Sequence, residues 1–155
     1  MNFLDEFFEK NNIEYYAVLD YKDVRETFPE LMRRESFTPR SVIVYLLPYY
    51  TGQTENISLY AASLDYHLAI SEVNESLSAL LSAQFPGCSS KGYGDHSPID
   101  ERDAAIKSGL GILGKNGLLI NEKYGSYVFV ADIVSDVLPQ ELGALTPRAY
   151  EFCRG

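Results

Sequence analysis

Residues 41–50, with the sequence SVIVYLLPYY, form a continuous run of apolar and β-forming side chains. A run of this kind, in which polar residues do not alternate with apolar ones, predicts a strand that is buried on both of its faces. Such a strand occupies a central position in a sheet that other structure covers on both sides. We therefore expect the chain to fold around a sheet with residues 41–48 near its centre.

Helices are expected to cover this sheet. The longest is predicted for residues 58–84, where apolar side chains recur at intervals of four and three residues and so form one face of a helix. The members of this face are Tyr66, Ile70, Val73, Leu77 and Leu80. Shorter helices are predicted for residues 2–11, 21–34 and 98–108, and Pro29 should kink or divide the second of them.

Further strands are predicted for residues 14–19 and 89–95, and residues 118–121 and 126–134 are predicted to form a hairpin across a short turn. Helices and strands are thus mixed along the chain. This order favours an α+β or three-layer α/β/α fold, in which flanking helices cover a central mixed or antiparallel sheet. Because no repeat or linker interrupts the pattern, residues 1–155 are expected to form a single domain.

Composition and charge narrow the classes of function. The 155 residues are 46% hydrophobic, which is enough for one core. No apolar run approaches the roughly 20 residues of a membrane helix, and the acidic N-terminus does not resemble a signal peptide. We therefore expect a cytoplasmic protein without a membrane partner. A net charge of -9 argues against a domain that binds DNA or RNA by itself.

Cysteine and histidine are too scarce for most metal sites. Cys88 and Cys153 cannot form a disulfide framework or a four-thiolate site within the chain, and two histidines are few for a zinc site. Cys153 nevertheless lies in the sequence EFCRG, near the last residue, which resembles the start of a C-x-x-C element that binds an iron–sulfur cluster.

The segment 109–117, GLGILGKNG, is the part of the chain richest in glycine. It contains the pattern G-x-G-x-x-G, but it follows a predicted helix and precedes a strand, which is the reverse of a dinucleotide-binding motif. A helix C-cap explains Gly109 only. The remaining glycines indicate backbone that approaches a bulky group and exposes its N–H donors. Lys115 and Asn116, at the tip, are placed to donate hydrogen bonds to amides or phosphates.

Asp95 lies in the segment GYGDHSPIDER and allows two interpretations. Asp95, Ser97 and Pro98 resemble the start of a helix, with a capping side chain and proline in the first turn. Alternatively, Asp95 is a proton donor in a pocket, which requires a raised pKa. Arg102 follows seven residues later, about two helical turns, and can reach the same pocket.

Four segments, together with the run at 41–50, resemble a known family in their order and spacing. They are SLYAASLDYH (58–67), DHSPIDER (95–102), SGLGILGKNGLLIN (108–121) and GSYVFVADIVSD (125–136). The chain resembles the N-terminal domain of the epoxyqueuosine reductase family over about residues 34–153. That family consists of cobalamin-dependent iron–sulfur enzymes of tRNA queuosine maturation.

The resemblance implies a fold like that of the nitroreductase-related cobalamin-processing proteins, with a base-off cobalamin bound to it. It implies that Asp95 donates a proton while an epoxide is reduced to an alkene. It also implies a set of cofactor-binding residues, which are Arg34, Arg102, Gly111, Gly114, Lys115 and Asn116. The sequence departs from the family pattern at His96, at Ser63-Leu64 and at Ile112.

The resemblance further implies a ferredoxin-like domain with two 4Fe–4S clusters after residue 155, for which Cys153 would be the first cluster ligand. The chain lacks that domain, so we expect it to be inactive by itself and expect a tRNA partner for the full-length protein only. Two other functions fit the same residues: a non-catalytic corrinoid-binding module, and a flavin-binding relative of the nitroreductases.

Overall fold

A four-stranded antiparallel sheet forms the centre of the protein. The computed structural model describes residues 2–48, 59–93, 97–115, 117–125 and 128–143, with only the backbone described for residues 48 and 59–65. The strands are β1 (Tyr16–Asp20), β2 (Ser41–Pro48), β3 (Ser90–Tyr93) and β6 (Val128–Ser135), in the order β1-β2-β6-β3. The predicted central strand is confirmed, because β2 pairs with β1 on one edge and with β6 over eight residues on the other.

Helices cover both faces of this sheet. On one face, α1 (Phe3–Lys10) and α3 (Leu59–Gln84) pack against side chains such as Ile43 and Ile133. On the other face, α2 (Pro29–Arg33) and α4 (Glu101–Lys107) pack against side chains such as Val44. The expected three-layer arrangement of helix, sheet and helix is therefore present. Among the residues described here, no helix combines the length and the apolar character that a membrane span requires.

The apolar face of α3 forms much of the first interface. Ile70 and Leu77 are buried, and so is Leu81, which the predicted face did not include. Tyr66, Val73 and Leu80 are partly buried and pack against the same core. The helix thus lies on the sheet in the predicted orientation.

Two predicted helices are shorter in the structure. The stretch 21–34 divides at Pro29, as expected, into a 3-10 turn at Tyr21–Asp23 and α2. The helix expected at 98–108 begins only at Glu101, so Pro98 is not its first residue. Asp100 caps it, because its carboxylate accepts the N–H of Asp103 at 3.1 Å.

The predicted hairpin of residues 118–121 with 126–134 is wrong. β5 (Leu119–Ile120) pairs instead with β4 (Ile112–Leu113) in a separate two-stranded ribbon, while β6 joins the main sheet. Only an isolated bridge between Asn121 and Gly125 spans the predicted turn.

Candidate functional site

A cleft of about 570 Å³ opens at the end of the sheet where β6 begins. Its walls come from the start of β6, the start of α4, the strand β5 and one turn of α3. The apolar part of the lining consists mainly of Ile99, Leu118, Leu119, Val128 and Val130. Polar side chains, among them Thr27, Asp100 and Arg102, lie around the same space.

A stacked aromatic pair forms one side of the cleft. The rings of Tyr66 on α3 and Phe129 on β6 lie 3.4 Å apart between centroids, with an angle of 24° between their planes. The Tyr66 hydroxyl donates a hydrogen bond to the carbonyl of Val130 at 3.2 Å. These contacts hold α3 against β6 and add two aromatic side chains to the cleft lining.

The first turn of α4 forms the polar side. Arg102 is exposed, and its Nη1 donates to the carbonyl oxygen of Gly117 at 2.6 Å. The Asp100 carboxylate, besides capping the helix, pairs with Arg25 at 2.7 Å. The structure therefore places Arg102 in the cleft lining and joins it to the end of the glycine-rich segment.

The glycine-rich segment forms the end of α4 and the β4–β5 turn. The helix α4 ends in a Schellman motif. Gly109, with φ at +79°, follows the C-cap residue Ser108, and the N–H of Leu110 donates to the carbonyl of Ala105. A Cβ at Gly111 would lie 2.7 Å from the backbone oxygen of Ile120, so close packing of the two strands requires glycine there.

The backbone of Gly114 closes the turn between the two short strands. Its N–H donates to the carbonyl of Leu118 at 2.8 Å, and its own carbonyl accepts the N–H of Gly117 at 3.0 Å. Lys115 is exposed in this turn and is not one of the side chains that line the cleft. The roles of Gly111, Gly114 and Lys115 toward a cofactor remain predictions.

Other predicted site residues are away from the cleft or outside the described residues. Arg34 is exposed at the C-terminal end of α2 and does not line the cleft. Asp95, Asn116 and Cys153 lie outside the described residues. The chain is described again from Ser97, two residues after Asp95, and Ser97 is part of the cleft lining.

Asp132 is a functional candidate that sequence reasoning missed. It lies on β6, is fully buried, and stands between Val44 and Tyr93 in the register of the sheet. Burial raises the pKa of its carboxyl to about 7, although a hydrogen bond from Ser97 acts in the opposite direction. The signal was a lone acid in the apolar strand sequence VFVADIVS.

Comparisons with known proteins find homologues of this chain. No protein-family model matches the chain. An epoxyqueuosine reductase from Synechocystis sp. is 36% identical over 126 residues, which cover 77% of this chain and 41% of the relative. One from Gloeobacter violaceus is 35% identical over 120 residues, which cover 74% of this chain and 35% of the relative. The chain is homologous to a part of these epoxyqueuosine reductases. It spans less than half the length of these epoxyqueuosine reductases.

Solved structures share the fold of this epoxyqueuosine reductase relative. The epoxyqueuosine reductase from Streptococcus thermophilus matches all of this chain and 50% of its own, with a TM-score of 0.71 and 17% identity. An epoxyqueuosine reductase bound to a modified tRNA stem loop matches with a TM-score of 0.59, 14% identity and coverage of 94% and 48%. A reductive dehalogenase, described as B12-dependent, matches with a TM-score of 0.67 and 14% identity, over 94% of this chain and 21% of its own. These likenesses establish a common fold.

Proposed function

We propose that this chain is the cobalamin-binding part of a reductase that removes an epoxide oxygen in tRNA queuosine maturation or carries out a related reduction. The observation that carries the proposal is the cleft, which combines an apolar wall that includes Val128, Val130 and Leu118 with a polar side where Arg102 bonds to Gly117. Homology to epoxyqueuosine reductases and a fold shared with a reductive dehalogenase described as B12-dependent support it.

The residues of the cleft fit a corrinoid. A corrin ring has two flat apolar faces and an edge that carries amide groups, so its site needs a flat apolar wall and polar groups around it. Val128, Val130 and Leu118 would hold one face of the ring, while Arg102 and Thr27 are placed for the amide edge. When bound, in the base-off form that the resemblance implies, the cobalamin supplies electrons to the substrate.

The chain itself would supply binding, exclusion of water and a proton. Asp95 is our candidate proton donor, because the segment that follows it forms the cleft wall at Ser97. A carboxyl that donates near neutral pH needs a raised pKa, and a cofactor that covers the cleft would raise it by desolvation. Arg34, Gly111, Gly114, Lys115 and Asn116 remain proposed cofactor-binding residues. Cys153 remains a proposed cluster ligand.

The larger assembly is part of the same proposal. The resemblance implies 4Fe–4S clusters in a ferredoxin-like domain that follows the proposed cobalamin-binding domain, residues 1–155. A tRNA partner is supported by the neighbour that holds a tRNA stem loop, and we assign it to the full-length protein. A cytoplasmic location fits this function.

Titration with cobalamin tests the central claim. The visible spectrum of hydroxocobalamin should change when the chain is added, because the cofactor binds. The visible spectrum of FMN should not change in the parallel titration. Leu118→Trp would fill the cleft and should weaken cobalamin binding at least about tenfold, the equivalent of about 1.4 kcal/mol. Leu138→Trp is the matched control, because the two leucines are 43% and 42% exposed and Leu138 lies beyond the other end of β6.

Two outcomes would contradict the proposal. A response to FMN without one to cobalamin would favour the flavin-binding alternative. Equal cobalamin affinity of the two tryptophan variants would show that filling the cleft has no specific effect, so that cobalamin does not bind there.

Turnover distinguishes the reductase from a non-catalytic corrinoid-binding module. In the full-length protein, Asp95→Asn should lower epoxide reduction by about 10²–10⁴-fold while cobalamin binding is retained, the usual contribution of general acid catalysis. Reduction assays on a modified tRNA stem loop measure it. Unchanged turnover would leave Asp95 without a catalytic role, and absence of turnover in the parent protein would favour the module.

A further inference from the structure

The Asp132 carboxyl lies directly behind the wall of the cleft. The Ser97 hydroxyl donates to its Oδ2 at 3.0 Å and accepts the N–H of Ile99 at 3.2 Å. Ser97 is 3% exposed and lines the cleft, whereas Asp132 is fully buried. A single hydroxyl therefore stands between a buried acid and the space that we assign to the cofactor and its substrate.

The other carboxyl oxygen has no hydrogen-bond partner among the described residues. Oδ1 of Asp132 is buried, and the part of the chain that the structure describes provides no hydrogen bond to it. Burying a charged carboxylate with an unsatisfied oxygen costs much free energy. Burying the neutral, protonated carboxyl costs less, because no charge loses its hydration. The geometry thus favours the form that carries a proton.

Burial and the Ser97 hydrogen bond are the causes of the shifted Asp132 pKa among the described residues, and no positive charge is one of them. On the same face, Val44 and Tyr93 flank Asp132 in neighbouring strands, and α4 contributes Ala104 and Ala105 to this core. The titratable groups that sense its charge are three tyrosines, which are Tyr21, Tyr45 and Tyr93. Burial is the main cause of their raised pKa values, so they stay neutral near pH 7 and cannot stabilise a carboxylate as cations would.

We propose that Asp132 stores a proton behind the cleft and that Ser97 passes it to an acceptor in the cleft. This inference rests on the proposed function, in which breaking a carbon–oxygen bond of the substrate leaves a negatively charged oxygen. The acceptor is such an oxygen. Asp132 does not contact the substrate. It holds the proton in position behind Ser97, which delivers it.

The step is a two-proton shift, and it begins when the Ser97 hydroxyl rotates from Oδ2 of Asp132 toward the acceptor. The protonated carboxyl then donates to the Ser97 oxygen. The Ser97 O–H bond breaks as an O–H bond forms on the acceptor, and the proton of the Asp132 carboxyl moves to the Ser97 oxygen. The products are a protonated acceptor, an intact serine hydroxyl and an Asp132 carboxylate. Because burial disfavours that carboxylate, it recovers a proton from solvent through the same hydroxyl.

Infrared spectroscopy of the cofactor-free chain tests the stored proton. At pH 6 the C=O stretch of a protonated carboxyl should be present and should disappear in Asp132→Asn. It should remain in Asp23→Asn, which makes the same substitution at an exposed side chain. The band should titrate near pH 7, and in Ser97→Ala its midpoint should move higher, because a hydrogen bond that lowers the pKa is lost. A spectrum at pH 6 that Asp132→Asn leaves unchanged would overturn the proposal.

Isotope exchange tests the connection through Ser97. After transfer into D₂O, the shift of this band reports how fast the carboxyl hydrogen exchanges. Ser97→Ala should slow that exchange about tenfold, the rate equivalent of one hydrogen bond, and Ser97→Thr, which restores a hydroxyl, should recover it. Equal exchange rates in the parent chain and Ser97→Ala would overturn the role of Ser97.

These measurements do not depend on cobalamin. If the chain fails to bind cobalamin while the Asp132 band and its exchange behave as described, the proposed function fails and the proton store stands. If cobalamin binds and the band is missing, the reverse holds.

Discussion

Among the described side chains, Asp132 is an acid whose ionisation the fold opposes. Its carboxyl is fully buried beside Val44 and Tyr93, so ionisation inside the protein means loss of hydration without an opposite charge in return. Folding therefore competes with the release of a proton from this group. The consequence is a stability that depends on pH.

We expect Asp132→Asn to flatten that dependence. The pKa of Asp132 is raised to about 7 in the folded protein and is about 3.9 in an unfolded chain. Between these values the folded state binds more protons, so the free energy of unfolding should fall as pH rises from about 4 to about 7. Asparagine cannot ionise, and the variant should lose less stability than the parent chain between pH 5 and pH 8.

Urea unfolding at the two pH values measures this difference. Asp23→Asn, on the exposed 3-10 turn, is the control for a change in net charge. Parallel pH curves for the parent chain and Asp132→Asn would contradict a raised pKa at this position.

The sequence predicts the location of such residues better than their chemistry. The apolar pattern of 128–134 predicts a strand, so burial of position 132 follows from it. The protonation of Asp132 depends on its burial and on the hydrogen bond from Ser97, which precedes it by 35 residues and meets it only in the folded chain. A pattern of neighbouring residues does not contain that information.

Among the helices, α4 borders the cleft and depends on how its ends are stabilised. It has seven residues, which is too short for a stable helix in isolation, so its cap and its packing decide whether it forms. Asp100 provides the cap through the N–H of Asp103 and lies beside the cleft. Loss of the cap should therefore affect the cleft as well as stability.

We expect Asp100→Ala to lower the free energy of unfolding by about 0.5–2 kcal/mol, the usual contribution of a capping side chain. Asp100→Asn keeps the cap and removes only the ion pair with Arg25, whose side chain is 68% exposed, so its effect should be much smaller. Urea unfolding of the two variants makes the comparison. Equal losses would show that the ion pair, and not the cap, stabilises this helix.

The sequence predicts where the long strands lie more reliably than it predicts which strands pair with each other. β2 and β6 were identified because each is a long apolar run, whereas β4 has two residues inside a glycine-rich segment and gives no periodic signal. The turn after β5 also differs from an ordinary hairpin. Oδ1 of Asn121 accepts the N–H groups of Lys123 and Tyr124, and both of those side chains bond to Glu14. These contacts direct the chain away from β5, which the turn residues alone do not reveal.

For the chain as a whole, charge limits its partners. A net charge of -9 opposes binding to a polyanion, because tRNA affinity depends largely on contacts with phosphates. We expect this chain by itself to bind a tRNA stem loop much more weakly than a full-length epoxyqueuosine reductase does.

Fluorescence anisotropy with a labelled stem loop at about 50 mM and about 200 mM salt measures both affinity and its salt dependence. For the chain alone, the few phosphate contacts should give weak binding and a shallow slope. Tight binding with a steep slope would show that this chain carries the tRNA surface despite its charge.

The register of β6 has a consequence for how related sequences can differ in length. Side chains alternate between the two faces of a strand, so one additional residue within β6 would turn Asp132 toward α3, away from Ser97 and the cleft. The same insertion would disturb eight paired positions with β2. During divergence from a common ancestor, gains and losses of residues should therefore accumulate in the connections before and after this strand, while its length is inherited unchanged.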